Sequence, residues 1–407
     1  MIYQPPAGAR DLLPLDVAQK RWIEDRLQQV FHCWGYHRII TSTLERLDTL
    51  MAGGAIERST VIQLQQLEEE SLGLRPELTA SIARTVVTRM AGSTFPQRLY
   101  YNANVFRRAQ EGSHTRQQEF YQAGVELLGG SGLLADAEVL LLLIDGLRSL
   151  GLSQGCSIVL GEAGLTRSLL SIFPEAIRET VRRAIVALDR IAIETMGLPD
   201  ELRDRALLLL DLRGKPADVL QRISGLLLDK TQRDVVNNLK SLIELLQTSL
   251  QNEVAIVLDL SLIRTFDYYT GIVFEVVTAS GQTVLGQGGR YDQLLRLYHP
   301  QGQDLPGIGF SLQIEQLHQV LLSSGQLPKD TPSSDWLVVS EAPETHAIAF
   351  SHADKLRESG DRVEVNLSET DHDAVRDYAR QRRIAQIAWI QMDGSAIAEK
   401  IKERSTS

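Results

Sequence analysis

The 407-residue sequence predicts an α+β protein with more than one domain. Residues 272–285 carry a hairpin pattern, in which a β-branched and aromatic run (Ile272 to Thr278) precedes a turn at Ala279, Ser280 and Gly281 and a return strand from Gln282 to Leu285. Residues 164–250 are helical in pattern almost throughout. From Asp335 onward, strand and helix patterns alternate, which indicates a small parallel sheet.

Composition and charge narrow the class of protein. Hydrophobic residues make up 43% and charged residues 23% of the chain, which is typical of a globular protein. No apolar run approaches the ~18 residues of a membrane span, and no secretory leader is apparent, so we expect a cytoplasmic protein without a membrane partner. The net charge of −10 lowers the expectation of tRNA as a partner. Cys33 and Cys156 stand alone, so neither a disulfide nor a metal site is predicted.

The N-terminal region predicts one amphipathic helix followed by a strand. Asp16 occupies a candidate N-cap position, and Gly35 a candidate stop. Between them, one helical face is apolar and carries Trp22, Ile23, Leu27, Val30 and Phe31. Residues 36–47 (YHRIITSTLERL) then predict a strand. The polar, Gln- and Glu-rich segment 53–73 predicts a solvated flap or loop without a functional site.

The segment LRPELT, residues 74–79, precedes a predicted helix over 82–90. Glu77 can accept a charge-assisted hydrogen bond from an ammonium group. Thr79 can either cap the helix or contribute a hydroxyl to the same ligand, and the residues alone favour capping.

A pair of strands follows, one over QRLYYNANVF (97–106) and one over QEFYQAGVELLG (118–129), with Arg107 and a polar loop between them. On the return strand, alternation places Gln118, Phe120, Gln122, Gly124 and Glu126 on one face. A glutamine and an acid on one face suit an imidazole and an amino group, although both can also be polar residues of a half-exposed strand.

The middle of the chain predicts a buried helix over 134–150, a strand over 157–160, the helical segment 164–250 and a strand over 254–260. In the helical segment, breaks are predicted near Pro174, Pro199 and Pro216. Asp136 and Glu138 suit the dipole at the start of the first helix.

Residues 264–292 combine Arg264, the adjacent Tyr268 and Tyr269, and a glycine cluster at Gly286, Gly288 and Gly289 that is predicted to end the hairpin's return strand. The pattern fits a pocket for a small polar molecule or, equally well, ordinary core aromatics beside a tight turn.

Together, RTFDYYTGIVFE, GGRYD, LRPELT, the 97–129 strand pair and PGIGFSLQIEQL (306–317) resemble the histidyl-tRNA synthetase family of class II synthetases and its paralogues, the regulatory subunits of ATP phosphoribosyltransferase. The resemblance implies a class II synthetase-like antiparallel sheet core over residues 1–325 with a helical insertion at about 164–250. It also implies a small α/β C-terminal domain over 335–407, similar to a truncated anticodon-binding domain. That domain has 14 acidic and 10 basic residues, which is unfavourable for binding an anticodon stem.

The same resemblance implies a histidine-binding site. Its predicted members are the positions that match the family's amino-acid contacts, namely Glu77, Thr79, Arg107, Gln122, Glu126, Arg264, Tyr268 and Tyr269. Segment 36–47 matches the motif that forms the family's dimer interface, with Ser42 in place of the family's proline.

The positions that match the family's nucleotide contacts are altered. Ala109 and Gln110 stand where the family has an acid and an arginine, Gln313 replaces a glycine, and Gln316 replaces the arginine that grips phosphates. This loss predicts a histidine sensor without catalytic residues or cofactor, acting with a short-form ATP phosphoribosyltransferase catalytic subunit as a regulatory subunit of histidine biosynthesis. The alternatives are an active histidyl-tRNA synthetase or related amino-acid-activating ligase, and an interaction scaffold with a non-functional pocket.

Overall fold

The computed structural model describes residues 3–54, 56–64, 71–109, 117–250, 253–262, 268–368 and 371–401. Contacts between residues divide the chain into two compact units, 1–327 and 328–407. None of the helices in the described residues combines the length and hydropathy that a membrane span requires.

The first unit contains a mixture of helices and strands. Its helices are α1 (Pro14–Cys33), α2 (Leu47–Met51), α3 (Thr79–Thr88), α4 (Gly132–Ser149), α5 (Ala163–Leu170), α6 (Glu175–Val186), α7 (Arg190–Thr195), α8 (Asp200–Leu210), α9 (Pro216–Ser224), α10 (Lys230–Leu250) and α11 (Ile314–Ser324). Its strands are β1 (His37–Arg38), β2 (Leu44–Arg46), β3 (Gln63–Leu64), β4 (Leu72–Leu74), β5 (Gln97–Phe106), β6 (Glu119–Leu128), β7 (Cys156–Glu162), β8 (Arg213–Gly214), β9 (Ala255–Asp259), β10 (Ile272–Thr278), β11 (Val284–Arg290) and β12 (Gly307–Gln313).

Within the described residues, the main sheet has nine strands in the order β1-β5-β6-β12-β11-β10-β7-β9-β8. Its centre, from β5 to β7, is antiparallel at every pairing. The predicted antiparallel core is therefore confirmed. The helical segment is also as predicted: α5 to α10 lie between β7 and β9, and Pro174, Pro199 and Pro216 each stand at the start of a helix.

The two faces of the main sheet have different neighbours. On one face, Ile308, Phe310 and Leu312 of β12 join the apolar core to which α1, α4 and α11 contribute. On the other face, a second core forms around α3 and includes Tyr101, Tyr269 and Tyr291. Because side chains alternate along a strand, the residues between those of the first core point toward the second, where the candidate site lies.

Helix α1 begins earlier than the predicted N-cap. Its N-cap is Leu13, and Asp16 occupies the third helical position, where its carboxylate accepts the N–H of Leu13 at 3.0 Å. An acidic residue at the third helical position accepts the backbone N–H of the N-cap residue. Asp16 therefore marks the start of the helix, but the N-cap itself lies three residues before the predicted position. The predicted apolar face is confirmed, with Ile23, Leu27 and Phe31 fully buried.

Segment 36–47 is not a single strand as predicted. It forms only β1 and β2, and Leu47 already belongs to α2. Between the two strands, the carbonyls of Thr41 and Ser42 accept hydrogen bonds from the buried guanidinium of Arg75 at 2.8 and 3.2 Å. These carbonyls therefore bond to a side chain instead of to a neighbouring strand.

The glycines of the hairpin do not end its return strand. Gly286, Gly288 and Gly289 all lie inside β11. A β-carbon on Gly288 would come within 2.6 Å of the Phe274 ring, and one on Gly289 within 2.7 Å of the Tyr269 ring. Glycine is needed here because aromatic rings pack directly against the strand backbone.

The second unit contains β13 (Trp336–Ser340), α12 (His346–Glu358), β14 (Val363–Val365), α13 (His372–Gln381), β15 (Gln386–Ile390) and β16 (Ala396–Lys400). The described strands form one sheet in the order β14-β13-β15-β16. The predicted parallel arrangement holds for the first three strands, but β16 pairs antiparallel with β15 and was not predicted. The sheet is therefore mixed, with α12 and α13 packed on its opposite faces.

Candidate functional site

A polar cavity lies on the α3 side of the main sheet. It is formed where β6 pairs with β12, so that Glu126 is opposite Gly309 and Gln122 is opposite Gln313. The lining combines most of the predicted site with several unpredicted residues: Glu77, Thr79, Tyr101, Arg107, Gln122, Glu126, Tyr268, Tyr269, Gln287, Gly288, Tyr291, Gly309, Phe310 and Ser311. Of the predicted histidine contacts, Arg264 lies outside the described residues.

Glu126 lies at the base of the cavity, with only 2% of its surface exposed. Its Oε1 accepts a hydrogen bond from the hydroxyl of Thr79 at 2.7 Å. Its Oε2 accepts a short hydrogen bond from the phenol of Tyr291. A β-carbon at Gly309 would overlap this carboxyl group, so glycine at position 309 makes room for it.

Burial changes the acidity of Glu126. Removal of the carboxyl from water raises its pKa to about 8, and the nearby charge of Glu77 acts in the same direction. The hydrogen bonds from Tyr291 and Thr79 oppose this effect because they stabilise the carboxylate. Burial therefore favours the protonated form of this acid at neutral pH.

Glu77 occupies the start of helix α3. Its two carboxylate oxygens accept the N–H groups of Thr79 at 2.5 Å and of Ala80 at 2.9 Å. The negative charge thus meets free N–H donors at the positive end of the helix dipole. Burial raises the pKa of Glu77, while those N–H bonds and the charge of Arg107 counteract the shift.

Thr79 does not cap helix α3. Its hydroxyl bonds to Glu126, and Glu77 supplies the side chain that satisfies the helix N-terminus. The residues alone favoured Thr79 as the cap of α3, and this prediction was wrong. The carboxylate of Glu77, two residues earlier, accepts two of the backbone N–H groups at this end of the helix.

Arg107 enters the cavity from the end of β5. Its Nε donates to the carbonyl of Pro76 at 3.0 Å, and its guanidinium lies 5.9 Å from the centre of the Phe120 ring. Burial lowers the pKa of Arg107, whereas the negative charge of Glu77 raises it. Arg107 is the cationic member of the lining among the described residues.

Three tyrosines form an aromatic wall. The rings of Tyr268 and Tyr269 are 4.8 Å apart, and Tyr268 meets Tyr291 edge-on at 5.9 Å. Burial raises the pKa values of Tyr268 and Tyr291 well above the ordinary range, so both phenols stay neutral. The wall therefore offers uncharged hydroxyl groups beside the buried acid.

The free volume of the cavity is about 30 Å³. This space accommodates one or two water molecules. A ligand the size of an amino acid can enter only if the surrounding side chains move apart.

Several residues that line the cavity were not predicted from the sequence. Tyr101 packs against Gly124, which lies between Gln122 and Glu126 on the predicted face of β6; a glycine in such a row is a signal of close ring approach. Tyr291 lies in the GGRYD segment but was not assigned a role.

Arg290, the neighbour of Tyr291, is buried and pairs with Asp136 at 2.6 Å and Asp292 at 2.9 Å. Asp136 thus has a buried cationic partner. The predicted role of Asp136 and Glu138 at the helix dipole was wrong, because α4 begins at Gly132 and its first turn contains no acidic residue.

Three of the four positions predicted to have lost nucleotide contacts, Ala109, Gln313 and Gln316, lie in the described residues. Ala109 follows β5, and Gln110 lies outside the described residues. Gln313 ends β12, and Gln316 is in the first turn of α11. Neither glutamine lines the cavity in the part of the chain that the structure describes. Within the same described residues, the His, Cys, Asp and Glu side chains form no group of three suited to a metal ion.

Comparisons with known proteins agree with this architecture. A histidyl-tRNA synthetase family profile matches residues 8–317. Among solved structures, an ATP phosphoribosyltransferase regulatory subunit/histidyl-tRNA synthetase from Bacillus halodurans superimposes with a TM-score of 0.79 at 30% identity, over 93% of this chain and 97% of that one. A histidyl-tRNA synthetase from Nostoc sp. has the same fold, with a TM-score of 0.77 at 21% identity over 98% and 97% of the two chains. The fold and the site therefore define a class II histidyl-tRNA synthetase-like protein.

Sequence relatives identify the branch of this class. The ATP phosphoribosyltransferase regulatory subunit of Trichormus variabilis is 67% identical over 99% of this chain and 100% of its own length. The protein of the same name from Gloeothece citriformis is 58% identical over 99% and 100% of the two chains. The chain belongs to the family of ATP phosphoribosyltransferase regulatory subunits. The predicted family is thus confirmed, in preference to an active synthetase.

Proposed function

We propose that this chain is a non-catalytic regulatory subunit that assembles with a short-form ATP phosphoribosyltransferase catalytic subunit, and that L-histidine is the ligand of its cavity. The observation that carries the proposal is the buried Glu126, held by two hydroxyl donors beside Glu77, Gln122 and Arg107. This set of groups can hold an amino acid that carries an N–H-rich side chain.

The chemistry of histidine matches the lining group by group. Its ammonium and its imidazole N–H are donors, and Glu77, Glu126 and the amide of Gln122 offer acceptors. Its carboxylate is an anion, and the guanidinium of Arg107 provides a cationic fork. Tyr268 and Tyr269 supply aromatic surface against which an imidazole ring can pack. In this proposal Arg264 contributes to the same recognition.

The absence of catalysis is inferred from charge. Amino-acid activation requires cationic groups on a triphosphate, because negative charge develops there during the reaction. Gln313 and Gln316 are neutral, and Ala109 has no polar side chain. We therefore expect the chain to bind histidine without forming an adenylate, and to need neither a cofactor nor tRNA.

Regulation follows from the small cavity. A histidine molecule must expand a space of about 30 Å³, so the liganded and empty forms differ in the arrangement of the lining. A ligand shifts an assembly only through different affinity for two states, typically by about 1–3 kcal/mol. We propose that expansion of this lining is the change that distinguishes the two assembly states.

Self-association as a dimer is the further part of the proposal. Ile40, next to β1, is 80% exposed, and the nearby Leu44 is partly exposed. Both lie in segment 36–47, and the resemblance of this segment to the dimer-forming motif of the class II synthetases supports this part of the proposal. Exposed apolar side chains of this kind suit contact with a second copy of the chain. We expect the assembly to act in the cytoplasm.

The proposal is tested by co-purifying the chain with a short-form catalytic subunit. We expect a mixed complex with phosphoribosyltransferase activity that histidine inhibits. In the complex, Glu126→Gln should retain activity but lose histidine inhibition, since the neutral amide removes the buried acid. Glu253→Gln is the matched control, because Glu253 is a surface residue paired with Arg148.

Two results contradict this function. One is a chain that forms no complex with the catalytic subunit and does not change its activity. The other is histidine-dependent exchange of labelled pyrophosphate into ATP by the chain alone, which indicates an amino-acid-activating ligase. Intact stimulation of the catalytic subunit without any histidine binding supports a scaffold with a non-functional pocket instead.

A further inference from the structure

The surroundings of Glu126 contain hydroxyls and a second acid but no paired cation among the described residues. It meets Thr79 at the first position of α3, the carboxylate of Glu77 just before that helix, and the phenol of Tyr291 from the loop after β11. Strand β5 contributes the neutral phenol of Tyr101. The charge of Arg107, from the end of β5, acts on Glu77 and on the phenols of Tyr101 and Tyr268.

An ionised carboxylate in such a place is unfavourable. Burial removes its hydration, and a second carboxylate nearby adds repulsion. Of the two carboxyls, Glu77 is the better stabilised as an anion, because two backbone N–H groups of α3 and the charge of Arg107 stabilise its carboxylate. Glu126 therefore keeps a proton in the empty cavity. Its two partners are hydroxyl groups, which accept as well as donate, so the protonated form retains its hydrogen bonds.

We propose that ligand binding at this cavity is coupled to proton release: Glu126 is a neutral acid when the cavity is empty and transfers its proton to solvent when a cationic or N–H group of the ligand reaches it. The balance is simple. One O–H bond of Glu126 is broken, the proton goes to buffer, and the resulting carboxylate is stabilised by the ligand's N–H donor, whose own bonds remain intact. The inference rests on the proposed function in that histidine is the ligand used to test it.

Tyr291 and Thr79 act in this scheme as positioning residues. Each donates one hydrogen bond to the carboxylate and so favours loss of the proton. Removal of either hydroxyl leaves the acid in place but makes the proton harder to remove. The pH at which histidine binding becomes tight therefore moves upward, whereas a purely structural defect lowers affinity equally at every pH.

The experiment is calorimetric titration of the full chain with histidine between pH 6.5 and 8.5, in pairs of buffers that differ in ionisation enthalpy. From a pKa of about 8 in the empty cavity, we expect about 0.9 protons released per histidine bound at pH 7 and about half a proton at pH 8. Affinity should rise about fivefold from pH 7 to 8, a range that lies above the imidazole's own pKa.

The variants separate this coupling from general damage. Tyr291→Phe should move the pH profile upward, and Thr79→Val provides a second, independent removal of one donor in case the first variant folds poorly. Tyr298→Phe is the matched control, because the phenol of Tyr298 donates to the carbonyl of Thr49 and does not line the cavity. Its profile should match that of the unaltered protein.

The outcomes distinguish the two ideas. Histidine binding without proton release, at an affinity independent of pH, overturns the coupling and leaves the proposed function standing. Failure to bind histidine at any pH overturns both. A pH profile of affinity and proton release that stays unchanged in both Tyr291→Phe and Thr79→Val shows that another group supplies the proton and also overturns the assignment.

Discussion

The buried acid predicts an unusual pH dependence of stability in the ligand-free protein. The folded-state pKa of Glu126, about 8, lies above the ordinary value of 4.5. The folded chain therefore holds this proton more tightly than the unfolded chain. Stability from this group is fully present below about pH 4.5 and is lost progressively as the pH rises toward 8. Glu126→Gln cannot ionise, so it should lack this loss.

The size of the effect follows from the shift. Between pH 5.5 and 7.5 the unfolded carboxyl is ionised and the folded one is not, so each pH unit costs about 1.4 kcal/mol and the interval about 2.7 kcal/mol. For a unit spanning residues 1–327, the unfolding entropy is roughly 0.7 kcal/mol per kelvin. The melting temperature of Glu126→Gln relative to the unaltered protein should thus rise by about 4 °C across the interval.

The assay is thermal unfolding of both proteins in the absence of histidine, at half-unit steps from pH 5.5 to 7.5. Taking the difference at each pH removes the contribution of Glu77, whose raised pKa acts in the same direction in both proteins. Glu253→Gln serves as the control for a surface Glu-to-Gln change and should show a constant difference. A difference between Glu126→Gln and the unaltered protein that stays flat across the interval refutes the argument for a buried neutral acid.

Three further predictions follow from individual contacts. Gly309→Ala should abolish histidine binding in calorimetry, because its β-carbon overlaps the Glu126 carboxyl; unchanged affinity contradicts the stated geometry. Arg290→Met should lower the free energy of unfolding by about 3–5 kcal/mol in denaturant titration, since it leaves the buried Asp136 without its partner. Adding Asp136→Leu should recover part of that loss, and a double variant as unstable as the two single changes combined argues against the pair. Ile40→Asp should convert the proposed dimer to monomers in sedimentation velocity, and an unchanged dimer places the interface elsewhere.

Local sequence patterns predicted most of the helices and strands, because these elements depend mainly on residues that are near each other in the chain. The hairpin strand at 272–278 was predicted to the residue, since a β-branched run bounded by a glycine turn has few other stable conformations. The proline breaks in the helical segment also fell at helix starts. Predictions failed where a distant group competed for the backbone. In the segment predicted as one strand, the carbonyls of Thr41 and Ser42 accept hydrogen bonds from the Arg75 side chain.

The site shows the same division. Alternation along β6 was enough to place Gln122 and Glu126 on one face, because that spacing is a property of any strand. No local pattern indicated that Tyr291, 165 residues away in sequence, donates to Glu126. Likewise, no local pattern indicated that Glu77, and not Thr79, accepts the N–H groups at the start of α3. This depends on the position of Glu126, which accepts the hydrogen bond from the Thr79 hydroxyl.

The sequence by itself therefore determined the family, the α+β elements and the residue types available for binding an amino acid. Only the tertiary structure decided which hydrogen-bond donors reach each of the two buried acids, Glu77 and Glu126. The reason is physical: a carboxyl's charge state depends on the water, dipoles and charges within a few ångströms of it, and these are brought together by strands and helices far apart in the chain.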